Sequence, residues 1–253
     1  MDELVRDLYG EPGPDPQGRA RVWRQLAARR RRRRLSWLAA PVVAAALAMV
    51  LVVYGAPGQE PSSRSILLAA ATTAESSAAD GTYWHVKKLY DGTRESELWA
   101  TRDGRAWTAE QGRVTRVTGK SPFSMAGQDL TYAQIQNLPS DPAALRERVT
   151  AMLPDARLLA DALSGLLWTK PSLPAVRAAA YRALADLSEV RYLGARTDTR
   201  GRHGEAFSFG LPSGVQRTLI IDPVTSQVLS CTDDRGGRTE IVLVAGWTDE
   251  GPR

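Results

Sequence analysis

Two histidines, one cysteine and scattered serines and aspartates are the groups in this 253-residue chain that could carry catalysis or hold a metal. His85 and His203 can each be matched on paper with a Ser and an Asp, but no GxSxG elbow or other spacing sets a nucleophile beside a base. Gly119-Lys120-Ser121 ends like a phosphate-binding loop. That motif also needs a glycine where Val114 stands and a helix where Pro122 stands. Asp233-Asp234 offers oxygens to a cation, yet Arg235 and Arg238 beside it mark a solvated hairpin loop. Leu229-Ser230-Cys231 has the look of a lipidation box far from the N-terminus, and Cys231 in a strand reads as a buried small hydrophobe. One cysteine excludes an intramolecular disulfide, and with two separated histidines it leaves no Cys/His zinc set. No catalytic residue, cofactor or metal ligand is therefore assigned, and the chain is expected not to be an enzyme. One chemical cluster remains. Trp84, Trp99 and Trp107, with Tyr83, either pack a sheet face or form the aromatic wall of an apolar ligand cleft.

The distribution of charge is more informative than its total. Residues 1–34 hold ten Arg and five acidic groups, residues 35–54 hold no charge, and residues 55–253 hold 23 basic and 23 acidic groups. The formal +5 thus belongs to the first 34 residues. Leu35–Tyr54 (LSWLAAPVVAAALAMVLVVY) would span about 30 Å as a helix, the thickness of a bilayer core. Its four Leu and five Val favour insertion by about −3 to −5 kcal/mol. Arg29, Arg30, Arg31, Arg32, Arg33 and Arg34 abut its start, so the positive-inside rule places residues 1–34 in the cytoplasm and the remainder outside. A cleaved signal peptide is the competing expectation, but the apolar run is long for one and Pro57 follows the candidate site at Ala56. Without interleaved aromatics, the arginine run is assigned to topology and anionic lipid, not to nucleic acid. The expected organisation is a cytoplasmic stub (1–34), a transmembrane helix (35–54), a linker (55–63) and an extracytoplasmic domain (64–253).

The outer part reads as α+β. Ser65 is expected to cap a helix with Ile66, Leu67, Ala70 and Ala74 on one face, ended by Gly81. Strands are expected near 82–89, 94–102, 105–110 and 113–118. A two-residue turn at Asp103-Gly104 would pair Ala100 with Trp107 and Leu98 with Ala109. A three-residue loop Tyr90-Asp91-Gly92 would put Trp84 and Val86 on the face of Leu98 and turn His85 outward as an ordinary surface histidine. Helices follow from Asp141-Pro142, around Leu158–Leu166 and after Pro174. Strands then return near 190–198, 204–210, 216–222, 227–232 and 239–246. The expected fold is a curved antiparallel sheet of two meanders with about four helices on one face, behind the single transmembrane helix.

The start MDELVRDLYG, the Arg run before an Ala/Val-rich span, Leu138-Pro139-Ser140-Asp141-Pro142, Ala178–Leu184 and Leu219–Thr225 together resemble an uncharacterised actinobacterial family of single-pass membrane proteins. Genes of that family often neighbour those of extracytoplasmic-function sigma factors, which implies envelope signalling. The sheet–helices–sheet order is also similar, at the level of fold alone, to the half-barrels of lipoprotein carriers and of periplasmic regulators of anti-sigma factors. The expected function is a membrane-anchored extracytoplasmic sensor or binding protein without catalytic activity. Its expected partners are the lipid bilayer, a cytoplasmic regulator docking on residues 1–28, and an envelope protein or apolar ligand outside. An envelope scaffold is the alternative, and an extracytoplasmic hydrolase the third.

Overall fold

The computed structural model describes residues 62–252. Ser62 caps the first helix, α1 (Ser63–Glu75), with its Oγ accepting from the Ser65 backbone N–H at 3.2 Å. The cap is thus three residues earlier than expected, and Ser65 is the donor. Strands β1 (Tyr83–Tyr90), β2 (Arg94–Thr101), β3 (Ala106–Glu110) and β4 (Arg113–Arg116) follow as a meander. A separate two-stranded hairpin, β5 (Phe123–Met125) and β6 (Gln128–Leu130), turns through Ala126 and Gly127, both at positive φ. Next come α2 (Tyr132–Gln136), α3 (Pro142–Met152), a 3-10 turn (Ala156–Leu158), α4 (Leu159–Trp168) and α5 (Pro174–Ala185). The second meander is β7 (Arg191–Thr197), β8 (His203–Gly210), β9 (Gln216–Asp222), β10 (Gln227–Asp233) and β11 (Thr239–Thr248).

The two meanders form one antiparallel sheet of nine strands in the order β4-β3-β2-β1-β11-β10-β9-β8-β7. The join is the pairing of the first strand with the last: Tyr83 lies opposite Thr248 and Tyr90 opposite Glu240. Apolar residues alternate along the strands, so one face is buried against the helices. Trp84 and Val86 of β1, Phe207 and Phe209 of β8 and Leu219 and Ile221 of β9 belong to this core. From the helices it receives Ile66, Leu67 and Ala70 of α1, Leu163 and Leu166 of α4, and Ala179, Ala180 and Tyr181 of α5. α1 lies along α5, where alanines on both sides allow close approach. The β9–β10 turn is tied to this layer as well. Tyr181 donates its hydroxyl to the Ser226 carbonyl at 2.9 Å, and Arg177 Nη2 donates to Ser226 Oγ at 3.1 Å, at a residue with φ of 56°.

The expected fold class needs correction. The described chain is an α+β fold built on one large antiparallel sheet, and among the described residues no helix is long and apolar enough to cross a membrane. The longest described helix, α1, has 13 residues and so spans about 20 Å, against the roughly 30 Å of a bilayer core. The segment 35–54, expected to be a transmembrane helix, lies outside the described residues, as do Arg29–Arg34 and the start of the linker. The helices number five among the described residues, not four, because the short α2 carries no long periodic signal.

Two turns also differ from expectation. The β1–β2 loop is Asp91-Gly92-Thr93, with Asp91 and Gly92 at positive φ and Tyr90 opposite Arg94. This keeps the expected parity, since Val86 faces Leu98 and Trp84 faces Ala100. The β2–β3 loop is Arg102-Asp103-Gly104, one residue longer than a two-residue turn, with Ala100 opposite Ala106 and Trp99 opposite Trp107. Thr101 closes it from both sides, its N–H donating to the Arg105 carbonyl and its Oγ1 accepting from the Arg105 N–H. The extra residue reverses the parity of β3, so Trp107 and Ala109 face away from the helices.

Gly81 sits where β1 approaches β11. Its φ is +135°, and a Cβ there would lie 2.6 Å from the Thr248 backbone nitrogen. Gly92 has φ of +75° with open space around it. Replacing Gly81 by Ala is expected to cost about 2–3 kcal/mol, because close contact adds to backbone strain. Gly92→Ala is expected to cost about 1 kcal/mol from strain alone. Urea unfolding of the two variants checks this, and equal losses would remove the tight β1–β11 approach from the account.

Candidate functional site

Between the helix-covered face of the sheet, α4 and the β5–β6 hairpin lies a cavity of about 580 Å³. Its floor comes from β1 and β2, through Val86, Lys88, Tyr90 and Leu98, and from β10 and β11, through Cys231 and Glu240. Phe123 and Met125 of the hairpin, both buried, cover it, and Gly165 and Trp168 of α4 form a side. The volume is that of an ordinary small-molecule site, and the lining mixes apolar side chains with polar and charged ones.

The polar groups are set by a register change. β1 and β11 pair regularly from Tyr83 to Lys87, then slip, so that Lys87 faces Val244 but Lys88 faces Val242. The extra residue on β11, Leu243, reverses its parity, and Val242 and Glu240 come onto the helix-covered face with Lys88. Glu240 is 1% exposed. Its Oε2 lies 3.5 Å from Lys88 Nζ, and its Oε1 lies 3.1 Å from Arg238 Nε without the alignment of a hydrogen bond. The Lys88 ammonium also sits 5.2 Å from the Trp168 ring centroid and 5.0 Å from that of Tyr90, within cation–π range.

Arg217 of β9 clamps the other side. It grips Asp233 bidentately, Nε to Oδ1 at 2.7 Å and Nη2 to Oδ2 at 2.8 Å, and its Nη1 donates to Asp161 in the first turn of α4. Burial opposes its charge, but the Asp233 hydrogen bonds and the Asp161 carboxylate outweigh that and raise its pKa above the ordinary value. This triad fixes α4 to the sheet. Cys231, between Arg217 and Glu240 on the sheet, is buried, and desolvation pushes its thiol up to about 12, so it is no nucleophile.

Lys170 follows α4 directly and is 5% exposed. Its Nζ donates to Thr169 Oγ1 at 3.0 Å, and Thr169 Oγ1 in turn donates to the Gly165 carbonyl at 2.6 Å. A Cβ at Gly165 would stand 2.8 Å from that Nζ, so the glycine makes the space the ammonium fills. Burial, chiefly, and then the charge of Lys88 lower the Lys170 pKa to about 8, while Asp161 acts the other way.

The three tryptophans expected to form one aromatic wall are divided by the sheet. Trp84 is 1% exposed on the helix-covered face, edge-on to Trp247 with ring centroids 6.0 Å apart. Trp99 and Trp107 lie opposite each other on the far face, where Tyr83 meets Trp107 edge-on. None of the three lines the cavity. His85 shares that far face, but not as a loose surface group. Its ring stacks on Trp99 with centroids 4.7 Å apart and planes at 7°, and its Nε2 lies 2.8 Å from Glu97 Oε2. Glu97 Oε1 in turn lies 3.1 Å from Lys87 Nζ. His203 Nδ1 lies 3.0 Å from Thr197 Oγ1 at the β7–β8 end. The groups that do converge, Lys88, Lys170, Arg217 and Glu240, carry no motif. One signal for them is readable in the sequence: lysine occurs four times against 29 arginines, and Lys88, Lys120 and Lys170 all line this cavity.

Comparison of the chain with protein-family models, with curated proteins and with solved structures finds no match.

A lysine with its pKa lowered from 10.5 to about 8 costs the folded state on the order of 3 kcal/mol while it is protonated. Between about pH 8 and 10.5 the unfolded chain holds a proton that the folded chain has released, so stability rises with pH across that window. Lys170→Met is expected to stabilise the protein by about 2–3 kcal/mol at pH 7, with the advantage fading as pH approaches 10.5. Urea unfolding at pH 7 and pH 10 measures this, and a variant less stable than the parent at pH 7 contradicts it.

Proposed function

We propose that residues 62–252 form a non-enzymatic binding domain whose cavity under the β5–β6 hairpin takes a small apolar molecule. The observation that carries this is the cavity itself: about 580 Å³, floored by apolar and charged side chains of β1, β2, β10 and β11 and covered by the buried hairpin residues Phe123 and Met125. The space is a cleft partly open to solvent, large enough for a small molecule to enter. The nearest approach to catalytic geometry is His85 with Glu97, and the His85 ring is stacked against Trp99 and does not line the cavity. The hairpin is a separate small sheet joined to the helices by a short run, which suits it to admit a ligand by local displacement.

An envelope scaffold would have no use for the space. A neutral fluorescent probe, N-phenyl-1-naphthylamine, titrated into the full chain separates the two. Saturable binding at one site per chain is expected, weakened at least about tenfold by Leu98→Trp, which fills the cavity from the floor. A linear, non-saturating signal, or one indifferent to Leu98→Trp, would favour the scaffold. The cytoplasmic regulator expected on residues 1–28 concerns a segment outside the described residues and enters neither arm of the test.

A further inference from the structure

Among the described residues the cavity holds one deeply buried cation that no carboxylate meets at ion-pair distance, although Asp161 offsets part of its cost from farther off. Arg217 is engaged by Asp161 and Asp233, and Glu240 is shared between Lys88 and Arg238. Lys170 has a hydrogen bond to Thr169 and, among the described residues, no carboxylate at ion-pair distance, although it is 5% exposed. A buried ammonium without a counter-charge is unfavourable, and its three donors ask for acceptors. Lys88 lines the same space and adds repulsion, not relief. The ammonium rests against Gly165, where a Cβ would stand 2.8 Å from Nζ and oblige the flexible lysine end to shift. The choice of residue points the same way. In a chain with 29 arginines and four lysines, three lysines line this one cavity. A compact ammonium fits where a planar guanidinium does not.

We propose that the ligand is an amphipathic acid, its anionic head paired with Lys170 and Lys88 and its hydrocarbon lying against Leu98, Phe123, Met125 and Trp168. This rests on the cavity being a binding site, and it names the chemical class that the site selects. Inorganic anions would pair with the lysines but gain nothing from Leu98, Phe123, Met125 and Trp168 in the same lining. Neutral amphiphiles fill the space but leave Lys170 without a counter-charge. The acid alone answers both halves of the lining.

Decanoate and decanol, titrated calorimetrically into the full chain below their aggregation limits, share a tail and differ in the head. Decanoate is expected to bind at least about tenfold more tightly, the margin of one charge-assisted hydrogen bond. Lys170→Met is expected to erase that preference while decanol still binds. Gly165→Ala, which keeps the charge but crowds Nζ, is expected to reduce the preference in part. Equal affinities in the parent chain, or a preference that survives Lys170→Met, would overturn the acid. In that case saturation by N-phenyl-1-naphthylamine would keep the binding cavity standing. If neither alkyl compound nor the neutral probe binds, the cavity reading falls and the acid with it.

Discussion

The antiparallel pairing of β1 with β11 is the constraint on which the rest depends. The two strands are separated by some 150 residues of chain, and their pairing turns a four-strand and a five-strand meander into a single nine-strand sheet. Such a contact has a large loop-closure cost and is repaid only when the whole strand pairs and buries its face. Trp84 and Val86 on β1 and Val242 on β11 supply that burial. Gly81 permits the backbones to meet at one end, where the Thr82 N–H donates to the Thr248 carbonyl at 3.0 Å. At the other end the same pairing slips by one residue, and the slip determines what faces the cavity. With regular pairing throughout, Glu240 and Val242 would point to the far face and Lys88 would have no carboxylate beside it.

The helical layer is held to this sheet by a few strong ties as well as by apolar packing. Arg217 joins β9, β10 and α4 through two carboxylates, and a buried arginine so saturated is costly to break because each partner left behind would be an unpaired charge. Tyr181 and Arg177 fasten α5 to the β9–β10 turn at Ser226. α1 then closes over α5 through small residues. With α4 fixed at Asp161, its C-terminal end carries Gly165, Trp168 and Lys170 to the cavity wall. The site is thus placed by the clamp at one end of α4 and lined by residues from the other.

Much of the architecture was legible from local pattern, and the site was not. Period-two alternation and Gly or Asp-Pro turns marked the strands closely: 216–222 was expected and Gln216–Asp222 forms, and Asp141-Pro142 opens α3 with the aspartate capping Ala144 at 2.8 Å. Turn length was harder, because Asp103-Gly104 fits both a two-residue and a three-residue loop, and only the pairing with β3 decides it. That single residue moved Trp107 to the far face beside Trp99, while Trp84 stays on the helix-covered face. The β5–β6 hairpin has three residues a side, too few for alternation to show. Lys88, Lys170, Arg217 and Glu240 come from β1, the end of α4, β9 and β11, so their convergence is a property of sheet order. No sequence spacing encodes it. The expected membrane segment rested wholly on composition within 29–54, outside the described residues, and nothing in the described fold supports it.

The two faces of β1 show why parity matters more here than residue type. Tyr83, His85 and Lys87 alternate with Trp84, Val86 and Lys88, and each set opens on an aromatic ring and ends on a lysine. On the far face Lys87 lies 2.9 Å from Glu95 and 3.1 Å from Glu97, and these hydrogen bonds raise its pKa above 10.5. On the helix-covered face, Lys88 shares one buried glutamate with Arg238 and stands over aromatic rings, in a cavity with a second lysine that burial drives down to about 8. Equivalent lysines one residue apart are thus satisfied on one side of the sheet and under-compensated on the other. A buried lysine with no carboxylate at ion-pair distance lowers stability at neutral pH, a cost that a hydrophobe of its length would avoid. The acid proposed above would supply at Lys170 the charge that the cavity's own residues do not bring to ion-pair distance.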